Sequence, residues 1–174
     1  LALAMICSVS HSYAQKGKSE LTVGDGYHSL YGFVNGRPYD VSSGTSVFTY
    51  RYYVSRDVTL GMAIGYENIK SWGSFVSFVP ELTVAYMDTR KDRVRVKLYG
   101  AFSYGVSVFS DAITPSGQAD ESGLKPWAFQ ATPIGVRLGR QYAAFLEVGF
   151  GYKGLIHGGL ALREPRVLHH RGRI

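Results

Sequence analysis

The chain has 174 residues, which suits one domain large enough to bury a core. Its 21 glycines and 13 tyrosines, with charged residues at 18% where about 25% is typical, favour an all-β protein with many tight turns over a helical one. The net charge of +6 permits a nucleic-acid partner, but the basic residues are spread singly along the chain, so we expect no nucleic acid to bind.

The first 14 residues resemble the remnant of a secretory signal peptide. The run LALAMICSVSHSYA is largely apolar and ends in a small-x-small site, Ser12 to Ala14, suited to cleavage before Gln15. Cys7 is the single cysteine of the chain and follows Ile6, whereas a lipoprotein acceptor cysteine normally follows a small residue. We therefore expect export without a lipid anchor and without disulfides.

From residue 20 onward, apolar side chains alternate with small, polar or charged ones. In VTLGMAIGYE, for example, Val58, Leu60 and Met62 share one parity, and Thr59 and Gly61 share the other. Because side chains on a strand alternate with period two, each such segment predicts a strand with one apolar and one polar face. The eight predicted strands contain ELTVG, SVFTYRYYV, VTLGMAIGYE, FVSFVPELTVAYM, RVRVKLYGAFSYGVSVF, ATPIGVRLG, AAFLEVGFGYK and IHGGLALR.

Short and longer connections alternate between these strands. The predicted connections are 28–43, 55–57, 69–73, 88–92, 110–126, 140–142 and 154–155. The two longest of them share one end of the meander, and every second connection is brief, which is typical of an up-and-down barrel with tight turns at one pole. We also expect a bulge or bend at Pro80, because proline cannot donate to the ladder, and a second irregularity near Pro133.

The alternation alone fits either a membrane barrel or a secreted, lipocalin-like barrel with an apolar pocket. The predicted apolar faces hold no charge across the strand centres, and the polar faces are rich in small residues that suit a narrow interior. Aromatic residues collect at strand ends as two girdles, as at a membrane interface. These are Tyr52, Tyr86 and Tyr142 toward the short turns, and Tyr66, Phe78, Trp127 and Tyr152 toward the longer loops.

The predicted fold class is therefore all-β, an eight-stranded antiparallel up-and-down transmembrane β-barrel. Its polar faces supply the candidate lumen residues Arg51, Glu67, Glu81, Arg95, Lys97, Arg137, Glu147, Lys153, His157 and Arg163. Because buried charges must be paired, we predict that they fill the lumen with salt bridges and hydrogen bonds. The alternative is a narrow polar conduit for ions or small solutes.

Several stretches resemble the small outer-membrane β-barrel proteins of Bacteroidetes-type bacteria, relatives in shape of OmpX and OmpA barrels. They are SELTVG, TYRYYVSRDVTLGMAIGYE and TPIGVRLGRQYAAFLEVGFGYKGLIHGGLALR, and the resemblance covers most of residues 20–163. It implies a porin-like protein of a Gram-negative outer membrane, with lipopolysaccharide and phospholipid as surroundings and the barrel assembly machinery as a partner during insertion. We further expect a monomer.

Such proteins commonly end on an aromatic residue, and this chain departs from that pattern. After Arg163 come Glu164 and PRVLHHRGRI, which we expect to be disordered. The predicted organisation is a signal remnant over 1–14, a barrel domain over 15–163 and a tail over 164–174.

The functional expectation is a structural or surface-interaction protein whose loops 28–43 and 110–126 form the contact surface. A lipid A-modifying enzyme is a third alternative, since His28 and Ser29 are adjacent in the first long loop and His157 lies near the same pole. We expect no catalysis. Apart from His169 and His170 in the tail, no metal-ligand pattern occurs, nor does a nucleotide loop, so we predict no metal and no cofactor.

Overall fold

The computed structural model describes residues 17–29, 42–69, 73–91, 94–110 and 127–164. The predicted signal remnant, the tail beyond Glu164 and most of the two long connections lie outside these residues, so their predictions stay untested. Within the described ranges, no helix is long and apolar enough to cross a membrane.

Eight antiparallel strands close into a barrel, which confirms the predicted architecture. Each strand pairs with its neighbours in chain order, and the last pairs with the first. The strands are β1 (Ser19–Tyr27), β2 (Ser42–Tyr53), β3 (Val58–Ile69), β4 (Gly73–Lys91), β5 (Val94–Ser110), β6 (Trp127–Gly139), β7 (Tyr142–Gly151) and β8 (Ile156–Arg163).

The strands are strongly staggered around the barrel. Moving from Glu20 to its register partner on β2, and from partner to partner through β6, one reaches Gly151 on β7. Moving the other way around the barrel, from Glu20 to Arg163 on β8, one reaches Gln141, the residue before β7. This displacement along β7, from Gln141 to Gly151, corresponds to a strand tilt of about 40°. An eight-stranded barrel of that tilt has an interior just wide enough for side chains.

Apolar side chains cover the outside of the barrel and polar ones fill the inside. On β3, Leu60, Met62, Ile64 and Tyr66 are exposed, while the residues between them point inwards. β7 alternates exposed and buried positions along its whole length. The period-two pattern of the sequence is therefore the pattern of the wall.

One of the two predicted irregularities is confirmed, and at the other no bulge occurs. The register between β6 and β7 shifts at Pro133, where Pro133 and Ile134 are both exposed. At Pro80 the register is unchanged with both β3 and β5, because proline removes a donor without adding a residue to the strand. The shift in β4 lies instead at Tyr86.

The β2–β3, β4–β5 and β6–β7 connections and both ends of the described chain lie at one pole, here termed the short-turn pole. The other four connections lie at the opposite pole, here termed the long-connection pole. β4 continues to Lys91, through residues 88–91 that were predicted as a turn. Because β3 begins at Val58, opposite Val84, the β4–β5 hairpin extends beyond β3 at the short-turn pole.

Candidate functional site

The lumen holds the chemistry of this molecule, and all ten charged residues assigned to it from the sequence are buried. Most of them belong to two clusters, the central network and the short-turn network. The structure adds Glu20, Tyr53, Tyr99 and Gln130, which are also buried.

The central network joins two carboxylates to two cations. Arg51 Nε lies 2.7 Å from Glu81 Oε1, and Arg51 Nη2 lies 2.9 Å from Glu147 Oε1. Lys153 Nζ contacts Glu81 and lies 3.6 Å from Glu147 Oε2. Each cation therefore bridges both acids, which balances the buried charge as the cost of burial requires.

Two further side chains complete this network at Glu147. The Tyr99 hydroxyl donates a hydrogen bond of 2.8 Å to Glu147 Oε1, and His157 Nδ1 lies 3.0 Å from Glu147 Oε2. Lys153 lies in the β7–β8 turn. Burial lowers the pKa of its ammonium, but the Glu147 and Glu81 carboxylates more than offset this effect, so the pKa is above its ordinary value.

The short-turn network is built on Glu20. Its Oε2 accepts hydrogen bonds from Arg163 Nη2 at 2.9 Å and from the Tyr53 hydroxyl at 3.2 Å, and Arg137 Nε lies 3.0 Å away. Arg137 also donates to the carbonyls of Gly139 and Arg140, at 2.9 Å each. One carboxylate thus holds the ends of β1, β6 and β8 together.

Three predicted lumen residues stand apart from the ion pairs of both networks, and one of them, Lys97, has its ammonium 4.8 Å from the centre of the Tyr53 ring. Arg95 forms a two-pronged pair with Asp88, and its Nε donates at 2.6 Å. At the long-connection pole, Glu67 accepts a hydrogen bond from the Ser29 hydroxyl.

An apolar layer fills the lumen on the other side of the central network from Glu20. Its residues are Val47, Ala63, Phe75, Val79, Ala128 and Tyr152.

The prediction that Tyr152 belongs to the outer aromatic girdle is therefore wrong, since its side chain is 2% exposed. Gly151 has φ 141° and ends the alternation of β7, so the next side chain turns inwards. Gly65 provides room for the ring, because a Cβ there would lie 2.9 Å from it. The other girdle residues are exposed, namely Tyr52, Tyr66, Phe78, Tyr86, Trp127 and Tyr142.

The β7–β8 turn, residues 152–155, is anchored to the lumen wall through its backbone. The Thr45 hydroxyl donates to the Tyr152 carbonyl at 3.0 Å, and the Lys153 amide donates to Gln130 Oε1 at 2.9 Å. Gln130 Nε2 donates in turn to the Gly154 carbonyl at 3.3 Å. These three hydrogen bonds hold the β7–β8 turn against the lumen wall.

A parity argument could have found three of the four missed lumen residues, but not Gln130, because the register shift at Pro133 reverses the parity there. Glu20 shares the inward parity of Thr22, Tyr53 that of Arg51, and Tyr99 that of Lys97.

The residues considered for catalysis have different surroundings. His28 is exposed, Ser29 is bonded to Glu67, and His157 belongs to the central network. The described ranges contain no group of three or more His, Cys, Asp or Glu placed to hold a metal ion.

On the exterior, Asp25 of β1 interrupts the apolar surface and accepts a hydrogen bond of 2.7 Å from Ser46.

No protein-family model matches the chain, and no curated protein matches it. Similar solved structures include a de novo designed transmembrane β-barrel, at 15% identity and TM-score 0.49 over 86% of this chain and 97% of the other. Another is the N-terminal β-barrel domain of Pseudomonas aeruginosa OprF, at 13% identity and TM-score 0.48 over 85% and 96%. We draw no functional conclusion from likeness at this level. The fold and the lumen themselves define a closed β-barrel with a charged interior.

Proposed function

We propose that the chain is an integral outer-membrane β-barrel protein with a mostly packed polar lumen and a structural or surface-interaction role. The observation that supports this proposal most directly is the distribution of side chains, which is the reverse of that in a water-soluble protein. Large apolar residues cover the outside of every strand, whereas Glu81, Glu147, Arg51 and Lys153 are buried inside. In water an exposed apolar surface of this extent would aggregate, but in hydrocarbon it is the stable arrangement.

The hydrogen bonding of the wall supports the same proposal. In hydrocarbon every backbone donor and acceptor must be paired within the protein, which only helices and closed barrels achieve. The pairing of β1 with β8 over Glu20 to Tyr27 removes the two edges that an open sheet would present.

The exposed aromatic residues support a membrane boundary at each pole. Tyr52, Tyr86 and Tyr142 lie toward the short-turn pole, at 44%, 66% and 74% exposure. Tyr66 and Trp127 lie toward the other pole and are exposed to a similar degree. Rings with a polar edge are favoured at the headgroup level of a bilayer.

The packed lumen favours a structural or interaction role over conduction. An ion would have to pass the short-turn network, the central network and the apolar layer, whose members contact one another across the interior. The proposal includes lipopolysaccharide and phospholipid as surroundings, the barrel assembly machinery during insertion, a monomeric state and no catalysis. The long connections 28–43 and 110–126 are its proposed contact surface.

Fractionation combined with heat-modifiable gel migration tests the proposal. The full chain should be recovered with outer membranes, and in unboiled SDS it should migrate as a compact species that shifts on boiling. A chain recovered as a water-soluble monomer, with no shift on boiling, would contradict membrane insertion.

A further inference from the structure

At the short-turn pole, three hydrogen-bond donors have no acceptor among the described residues, and two of them, Arg137 Nε and the Thr59 hydroxyl, are fully buried atoms. Lys97 is 2% exposed, and its ammonium lies 4.8 Å from the centre of the Tyr53 ring without a hydrogen bond or ion pair to any described residue. Arg137 Nε is close to Glu20, yet its N–H makes no hydrogen bond within the described chain. The Thr59 hydroxyl, in a residue that is 1% exposed, is likewise unbonded there.

These donors lie in the same section of the lumen. Lys97 and Arg137 are register partners across β5 and β6. Thr59 is the register partner of Tyr53 across β2 and β3, and the Tyr53 ring faces the Lys97 ammonium. Ala143 and Ala161, which pair across β7 and β8, contribute short buried side chains at this pole.

Among the described residues of this section, buried cations outnumber buried carboxylates. Glu20 is the carboxylate partner of both Arg137 and Arg163, and Lys97 adds a third cation. The neighbouring acid, Asp88, is already held by Arg95. A buried cation without a counter-charge is costly, so an additional anion would stabilise this arrangement.

We propose that the short-turn end of the lumen binds a small oxyanion of the phosphate or sulfate class. Lys97 supplies its positive charge, and Arg137 Nε and the Thr59 hydroxyl supply directed hydrogen bonds. A tetrahedral oxyanion offers several acceptors at once, which matches an ammonium, a guanidinium N–H and a hydroxyl that can all donate. The site goes beyond the proposed function and does not depend on where the barrel resides.

Thermal unfolding of the full chain in non-ionic detergent micelles tests the site. Sodium phosphate replaces sodium chloride at constant ionic strength and pH 7, and loss of the compact gel species reports unfolding. The unfolding temperature should rise with phosphate and saturate, because a ligand that binds only the folded state stabilises it. A wild-type protein that responds equally to both salts overturns the proposal.

Three variants locate the response. Lys97→Met should raise the phosphate concentration for half-saturation at least tenfold, and in chloride it should be no less stable than wild type because an unpaired cation is gone. Thr59→Val should raise it several-fold with the charge intact. Arg56→Gln removes a half-exposed cation at the same pole and should respond like wild type.

A Lys97→Met protein with the wild-type phosphate response overturns the site. If that variant does not fold, Thr59→Val decides, since an unchanged half-saturation shows that no directed hydrogen bond is made there.

Discussion

Glu147 shows how one side chain organises the barrel interior. Its carboxylate contacts Arg51, Lys153, Tyr99 and His157, which come from β2, the β7–β8 turn, β5 and β8. Because β2 and β5 do not neighbour β7 in the sheet, the contacts of Glu147 with Arg51 and Tyr99 cross the lumen and tie separate parts of the wall together. A buried network of this kind is stable only while its charges balance.

We expect Glu81→Gln to destabilise the barrel by about 3–5 kcal/mol. The substitution leaves Arg51 and Lys153 with Glu147 as their shared carboxylate, so one buried cation loses its counter-charge. Chemical unfolding of the barrel in phospholipid vesicles measures the change. The double variant Glu81→Gln with Lys153→Met should recover part of the loss, because charge balance is restored.

Glu164→Gln is the matched control. Glu164 is exposed and accepts a hydrogen bond from Ser19 at 3.1 Å, so we expect a change within about 0.5 kcal/mol. Equal effects of Glu81→Gln and Glu164→Gln would contradict the assignment of Glu81 to a buried network.

The sequence predicted most of the charged residues that point inwards, Glu20 excepted, but not which of them meet. Inward orientation follows from local parity, and parity is readable at Arg51 or Glu147 from the adjacent residues. The pairing of Arg51 with Glu81 and Glu147 depends on barrel closure and on the stagger of the strands, which no local pattern encodes. The same limit applies to the surplus cation Lys97.

At the scale of the strand, glycine provides room for tyrosine rings in the lumen. A Cβ at Gly135 would lie 2.5 Å from the ring of Tyr99, its register partner on β5. Gly65 relates to Tyr152 in the same way. The glycines in these strands therefore permit large inward side chains in a narrow barrel.

Gly135→Ala should destabilise the barrel by about 1–3 kcal/mol, as overpacking of a closely packed interior does. The Tyr99 ring cannot move freely, because its hydroxyl is bonded to Glu147. The same unfolding experiment in vesicles measures the loss. In a Tyr99→Ala background the substitution should cost little, since the ring is gone.

Gly158→Ala provides the comparison for this prediction. A Cβ at Gly158 would lie 3.3 Å from its nearest atoms, the closest side chain being the flexible Leu146. We expect a loss below about 1 kcal/mol. A loss as large as that of Gly135→Ala would show that strand glycines matter here for a reason other than ring packing.

Strand ends were harder to predict than strand centres. Alternation in β7 holds through Phe150 and would place Tyr152 outside, but Gly151 adopts a positive φ and the chain turns into the lumen. Glycine permits this conformation without requiring it, and Gly149, two residues earlier, keeps the alternation of the strand. The hydrogen bonds from Thr45 and Gln130 select it, and both are distant in the chain.

The exterior of a single strand also yields a test of the surrounding solvent. Ile64 lies in the middle of β3 and faces outwards, so Ile64→Arg should cost about 2–4 kcal/mol in vesicles if it meets the bilayer midplane. Asn68→Arg, on the same face near the end of β3, should cost about 1 kcal/mol or less. Equal small effects at both positions would indicate that water contacts this face.

At the scale of the whole molecule, closing the sheet into a barrel also determines which side chains must fill the lumen. Eight strands with this stagger leave a lumen that side chains must occupy, and the outward face takes the apolar residues. Charged side chains therefore lie in the lumen, where they must neutralise one another. The central network achieves this, whereas the short-turn network has more cations than carboxylates.

The filled lumen predicts that the intact barrel does not conduct. An ion would have to displace the Arg51, Glu81 and Lys153 contacts and then cross the apolar layer around Phe75 and Tyr152, which contains no charged side chain to stabilise it. Planar-bilayer recordings of the full chain should therefore show no steady single-channel steps, while a pore-forming porin in the same bilayer does. Phe75→Ser alone should remain silent, because the central network still closes the path below it. Regular steps in the wild-type protein would contradict the packed lumen and favour the narrow conduit.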